Sequence, residues 1–145
     1  MSTSNHSTMR VSDIMLGPDN FPVLPHRVLL KEALEAMGDS GLGFVCIVDE
    51  QFLLLGIITD GDIRRKLLKV QKPFSAFFVD DALVHAIRAP STIRPDATLI
   101  DGIELMGNKQ VWDLPVVDEQ GKLVGLLHLH PAIRVVLGLE MGSDQ

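Results

Sequence analysis

The hydrophobic pattern along the chain changes period several times, and each change marks an element. Leu30, Ala33, Leu34 and Met37 follow Val28-Leu29 at the three-and-four spacing of a helix face, with Gly38 placed to cap its C-terminus. Residues 44–48 (Phe-Val-Cys-Ile-Val) form an unbroken apolar run of strand length. Asp49-Glu50-Gln51 supplies turn residues, and residues 52–58 read as a second strand, so a hairpin is expected there. A helix is expected over 60–68, and a short extended piece near 22–24 precedes the set. The same order then returns: an extended piece near 92–94, a helix over 97–106, strands over 114–117 and 123–127, and a helix over 131–137. Between the two sets, 71–90 is a connection in which 80–87 is expected to be helical, matching Ser12-Asp13-Ile14-Met15.

The recurrence is also literal. Val48-Asp49-Glu50-Gln51 returns 69 residues later as Val117-Asp118-Glu119-Gln120. At the same spacing Leu30 falls on Leu99, Glu35 on Glu104, Met37 on Met106, Gly56 on Gly125, Arg65 on Arg134 and Leu68 on Leu137. A colinear series without a gap predicts two copies of one β-α-β-β-α unit. The fold class is α/β (α+β), with the copies related by a pseudo-twofold axis and packed face to face. Residues 1–9 are expected as a flexible tail, 10–70 as the first repeat, 71–90 as the connection, 91–139 as the second repeat and 140–145 as a second tail.

Composition narrows what such a pair does. Of 145 residues 46% are hydrophobic, and the mean hydropathy is +0.24, enough to raise the question of a membrane. The longest plain apolar stretch, residues 52–58, is far short of the roughly 18 residues of a spanning helix. The excess points instead to buried strands or a covered surface, and a homodimer is expected through helix faces around Leu34, Met37, Ile103 and Met106. A formal charge of −6 with no basic stripe disfavours nucleic acid and anionic membrane surfaces as partners. The single cysteine, Cys46, permits no internal disulfide and reads as a buried thiol rather than a nucleophile. No signal-peptide pattern opens the sequence, and a cytoplasmic location is expected.

The chemistry is concentrated where the first hairpin ends, at Gly56-Ile57-Ile58-Thr59-Asp60-Gly61-Asp62-Ile63-Arg64-Arg65. A strand running directly into a helix exposes the helix's first amides, a ready anion site. Thr59 offers a hydroxyl to a phosphate, and the Asp62 carboxylate offers acceptors to ribose hydroxyls. The same two residues, three apart, also resemble a helix cap, and the two readings are compatible. Arg64, Arg65 and Arg134 are candidates for an anion or for a solvated face. His128-Leu129-His130 places two imidazoles on one face of a strand, but His6, His26 and His85 lie at no ligand spacing, so no metal site is expected. Trp112 reads as packing rather than base stacking. No Ser/His/Asp set or phosphate-binding glycine loop is present, and no catalytic residue is assigned.

These residues also carry a resemblance. Two β-α-β-β-α units closed by Gly-x-x-Thr-x-x-Asp resemble a tandem pair of CBS (cystathionine β-synthase-type) domains, a Bateman module, from about Met9 to Gly138. Val11-Ser12-Asp13-Ile14-Met15, Gly41-Leu42-Gly43, the stretch from Gly56 to Arg65, Leu114-Pro115-Val116-Val117-Asp118 and residues 125–130 are similar to the C-terminal CBS pair of arabinose 5-phosphate isomerases. Related pairs accompany sugar nucleotidyltransferases. The resemblance implies a non-catalytic regulatory module with a nucleotide-binding cleft between the repeats, controlling a sugar-phosphate isomerase or a sugar-nucleotide enzyme by favouring one orientation of the repeats. The implied ligand is an AMP-, ATP- or CMP-type nucleotide or a nucleotide-sugar, and no cofactor is implied. Carried over, Thr59 and Asp62 match the phosphate and ribose positions. Pro22, Val23, Phe44 and Val45 match the strand starts that contact the base. In the second repeat His128 stands in place of Thr59 and Pro131 in place of Asp62. Proline suits a helix's first turn but accepts no hydrogen bond from a ribose. One competent site is therefore expected in the first repeat, or a shared site that is not adenosine-like, with His128 as a candidate hydrogen-bond donor to a phosphate. The alternative reading is a dimerisation module with a vestigial site.

Overall fold

The computed structural model describes residues 9–69 and 73–138. Residues 1–8 of the expected tail at 1–9, residue 70 of the first repeat, residues 71–72 of the connection, residue 139 of the second repeat and the expected tail at 140–145 lie outside the described residues. Contacts divide the chain into two compact units, Asp19–Pro90 and Met1–Pro18 with Ser91–Gln145. Chain order and spatial grouping thus differ at two places. Residues 10–18 belong to the unit of the second repeat, while the connection up to Pro90 belongs to that of the first.

In the first unit, β1 (Val23–Pro25) pairs parallel with β2 (Phe44–Val48), which pairs antiparallel with β3 (Leu54–Thr59). Helix α2 (Leu30–Ser40) lays Leu30, Ala33 and Met37 onto Val45, Ile47 and Ile58. Helix α3 (Asp60–Lys69) adds Ile63, and α4 (Phe74–Phe78) adds Phe77. Every residue of β2 is buried, as an apolar run with a parallel neighbour predicts. Helix α2 runs past Gly38 to Ser40. Its left-handed cap is Gly41 (φ +73°), whose N–H donates to the Met37 carbonyl at 3.0 Å, so the cap is the glycine that bends and not the first one met. The second strand starts at Leu54 rather than Phe52. The Asp49 carboxylate holds the N–H groups of Gln51 and Leu53, each at 2.9 Å, and Phe52 adopts φ +67° in the closing turn. The expected helix over 80–87 shrinks to a 3-10 turn, Ala82–His85.

The other unit pairs β4 (Asp113–Val117) antiparallel with β5 (Leu123–His128), and Ile93 bridges Val116 in parallel. Helix α5 (Leu99–Lys109) is capped by Thr98, whose hydroxyl accepts from the Asp101 N–H at 3.1 Å. It packs Leu99 and Met106 against Leu114, Val116 and Leu127. Helix α1 (Val11–Ile14) contributes the fully buried Val11. Helix α6 (Leu129–Val136) begins two residues before the expected start, which leaves Pro131 in the first turn, where its missing N–H breaks no helix bond.

Each unit repeats the other's hydrogen bonds. In the first, Leu30 N donates to Asp80 O and Ala82 N to Val28 O, both at 2.8 Å. In the second, Leu99 N donates to Met9 O (2.8 Å) and Val11 N to Ala97 O (2.9 Å). The repeated glycines explain themselves here. A Cβ on Gly56 would meet the Ile87 carbonyl oxygen at 2.9 Å, and one on Gly125 would meet the Leu16 carbonyl oxygen at 2.9 Å and Met15 Sδ at 2.5 Å. Both strands need glycine because another backbone is bonded across that position. Met37 and Met106, expected to face a second copy, are instead buried in these cores. Leu34 and Ile103 are half-buried against them. Among the described residues no helix is long and apolar enough to cross a membrane.

Candidate functional site

The register of the first sheet assembles most of the predicted residues at one end. Phe44 lies opposite Thr59, Val23 lies beside Cys46, and the Cys46 N–H donates to the Pro22 carbonyl at 3.0 Å. Thr59 is the last residue of β3 and Asp62 lies in the first turn of α3, so strand end and helix start share one corner. The Thr59 hydroxyl donates to Asp62 Oδ2 at 2.8 Å and accepts from the Asp62 N–H at 3.1 Å. Arg65 closes on the other carboxylate oxygen, Oδ1. Cap and candidate ligand group are therefore the same pair of side chains.

Two expectations are corrected at this corner. The helix start is not a row of open amides: the Asp60 N–H donates to the Gly43 carbonyl at 3.1 Å, and the Asp62 N–H is held by Thr59. Val45 is fully buried in the hydrophobic core, backbone included, and Phe44 is nearly so. Pro22 and Val23 are half-buried. A Cβ on Gly43 would fall 2.6 Å from the Asp60 carboxyl, so that side chain would have to turn aside for any larger residue.

Along α3, Asp62, Arg65, Lys66 and Lys69 form one stripe. Together with His85 and Ile87 they line a cavity of about 330 Å³. His85 is 7% exposed, its ring 4.5 Å from that of Phe77 and its Nε2 2.8 Å from Asp80 Oδ2. Pro25, His26, Val48, Glu50 and Phe52, toward the other end of the sheet, line a cavity of about 490 Å³ to which Val23 also contributes. The Glu50 carboxyl there is held below the usual carboxylate range, first by a hydrogen bond from its own backbone and then by His26.

The second repeat builds the corresponding corner differently. Asp113 occupies the place of Phe44 and lies opposite His128, which occupies the place of Thr59. His128 Nδ1 and Asp113 Oδ1 are 2.6 Å apart. The carboxylate has thus moved from the helix, where Pro131 now stands, to the neighbouring strand. The Leu129 N–H donates to the Trp112 carbonyl at 2.8 Å, as Asp60 does to Gly43 in the first repeat. Trp112 was expected to pack, but its side chain is 71% exposed: the backbone is pinned by this bond and the indole projects outward. Cys46 is fully buried, as its apolar run predicted. Sequence reasoning missed Asp113 and His85, although the strand partner of His128 follows from the repeat spacing once the first hairpin's register is known.

A sequence profile described as the CBS domain matches residues 11–69 and again 79–130. An uncharacterized protein of Chlamydia muridarum is 36% identical over 131 residues, 88% of this chain and 39% of its own length. Arabinose 5-phosphate isomerase GutQ of Salmonella typhi is 30% identical over 122 residues, 82% of this chain and 36% of its own length. The chain spans less than half the length of these relatives. Among solved structures, CBSX2 of Arabidopsis thaliana in complex with AMP superimposes with a TM-score of 0.79 at 25% identity, covering 90% of this chain and 97% of that one. The CBS domain pair of protein MJ0100, in complex with 5-methylthioadenosine and S-adenosyl-L-methionine, gives 0.73 at 25% identity, covering 90% and 98%.

Proposed function

This chain belongs to the CBS-domain family, and from that premise we propose that it is a non-catalytic regulatory module that binds an adenosine-type nucleotide through its first repeat. The observation that carries this reading is the Thr59–Asp62 pair, a hydroxyl and a carboxylate 2.8 Å apart at the junction of a strand and a helix. Asp62 is suited to accept from ribose hydroxyls and Thr59 to donate to a phosphate. CBSX2 binds AMP and the MJ0100 pair binds two adenosine derivatives, which supports adenosine as the ligand class. The likeness to GutQ supports an arabinose 5-phosphate isomerase, or a sugar-nucleotide enzyme, as the activity under control. In the second repeat, His128 and Asp113 already satisfy each other and Pro131 offers no acceptor, so the adenosine site is assigned to the first repeat alone. A bound nucleotide then shifts the controlled enzyme only by the difference in its affinity for the two states.

A second reading, a dimerisation module with a vestigial site, is favoured by Leu68 and Leu137. These equivalent residues at the ends of α3 and α6 are 84% and 68% exposed. The two readings separate in a thermal-shift series with AMP, ADP, ATP, CMP and a CMP-sugar, run beside sedimentation of the protein. A nucleotide at 100 times its Kd stabilises by about 2.7 kcal/mol. A shift with an adenosine nucleotide supports the sensor. No shift with any nucleotide, together with a dimer that Leu68→Glu dissociates, supports the second reading.

A further inference from the structure

We propose that the cavity at the hairpin turn of the first sheet binds a small organic cation, an amine, amidine or guanidine carried on an apolar body. This site is separate from the Thr59–Asp62 corner and does not depend on the nucleotide reading. At about 490 Å³ the cavity is of the size that takes small molecules. Val23, Leu24, Pro25, Val48 and Phe52 give it apolar walls, and Asp49 and Glu50 bring two carboxylates against one permanent cation, Arg27. Arg27 stands between this cavity and a neighbouring one of about 540 Å³ that has a carboxylate of its own, Asp81.

The duplication indicates what belongs there. At the spacing of 69, Pro25, Asp49, Glu50 and Phe52 correspond to Arg94, Asp118, Glu119 and Gly121. The two turns are built alike: Asp49 holds the N–H groups of Gln51 and Leu53, and Asp118 those of Gln120 and Lys122. In the second repeat Arg94 Nη2 lies 3.6 Å from Glu119 Oε2, so a guanidinium of the chain itself reaches the turn carboxylate. In the first repeat Pro25 supplies no cation, and Glu50 meets the imidazole of His26 instead, at 3.4 Å. The other change is Phe52. Glycine takes the left-handed conformation freely, as Gly121 does at φ +84°, whereas a phenylalanine at φ +67° is strained. The ring is 37% exposed on the cavity wall and belongs to neither hydrophobic core, so packing does not account for keeping it. Strain held in this way marks ligand clamps. An organic cation answers both changes, with charge for Glu50 and a weakly hydrated surface for the face of Phe52.

Titration of the isotope-labelled protein with benzamidine, followed by amide chemical shifts, tests the site, with benzoate as the same ring carrying the opposite charge. Benzamidine is expected to shift the Val48, Glu50 and Phe52 amides saturably, and benzoate to leave them in place. Phe52→Gly and Glu50→Gln should each weaken benzamidine binding at least fivefold. Gly121 in the matching turn shows that Phe52→Gly keeps the backbone. Pro25→Arg should weaken it at least tenfold, because the chain then carries the cation that Arg94 brings to Glu119. Glu119→Gln, in the other repeat, should leave the affinity unchanged. No saturable shift with benzamidine, equal binding of benzoate, or an affinity unmoved by Phe52→Gly and Pro25→Arg overturns the site. Shifts confined to Thr59 and Asp62 overturn it as well, and assign the cation to the other corner.

Discussion

At the scale of single residues, Asp62 makes three contacts at once with two side chains. Its backbone N–H is held by Thr59, one oxygen accepts the Thr59 hydroxyl, and the other faces Arg65. A ribose must therefore replace contacts already made, and it gains only the difference between the two sets. Asp62→Ala is expected to abolish adenosine-nucleotide binding in calorimetry while costing about 1 kcal/mol or less of stability, because the Thr59 cap to the helix remains. Undiminished affinity would show the ribose role to be misassigned. The Thr59–Asp62 pair was legible from its spacing alone. Arg65 as its partner was not, since three arginines offered equal claims and only the side-chain path chose among them. The same limit applies to Phe52. Its turn corresponds to that of Gly121 (φ +84°), and nothing in the residue type announces that an aromatic at 52 takes the left-handed conformation glycine takes at 121.

At the scale of elements, the repeated glycines matter more than the repeated apolar residues. Gly56 and Gly125 sit in mid-strand, where glycine weakens a sheet, yet each admits a backbone crossing that any side chain would block. Gly125→Ala is expected to destabilise by about 1–3 kcal/mol, because the Leu16 carbonyl at 2.9 Å is main chain and yields poorly. Urea denaturation reads this, and an unchanged midpoint would mean that the crossing segment is loosely held. Strand positions were readable because an unbroken apolar run between turn residues has few other conformations. Helix ends were less so. Gly38 and Gly41 are equally good caps by type, and the choice fell to Gly41, where the chain turns to enter β2.

At the scale of the whole chain, the two units are cut across sequence order. Val11 falls within the first repeat in chain order but is fully buried in the core of the second. Val11→Ala should cost about 2 kcal/mol, and hydrogen exchange should place the loss in α5 and β5, leaving α2 and β2 protected as before. Faster exchange confined to α2 and β2 would mean that the segment belongs to the first repeat after all. This exchange of segments is periodic too. The hydrogen bonds of 80–82 with 28–30 match those of 9–11 with 97–99, at a spacing of 71 rather than 69. A constant offset therefore finds the bodies of the repeats and misses the pieces that cross.

The sequence by itself determined the duplication, the order of elements within each copy and the Thr59–Asp62 pair. Those follow from local periodicity and from short-range chemistry that survives any arrangement of the rest. Only the tertiary structure decided which repeat each connecting segment joins, that Met37 and Met106 serve cores rather than a partner, and that His128 is answered by Asp113. It also set His85 beside Asp80 and the α3 face that carries Asp62 and Lys66. Each of these depends on which distant backbone lies within hydrogen-bonding or van der Waals reach, and separation along the chain does not encode that distance.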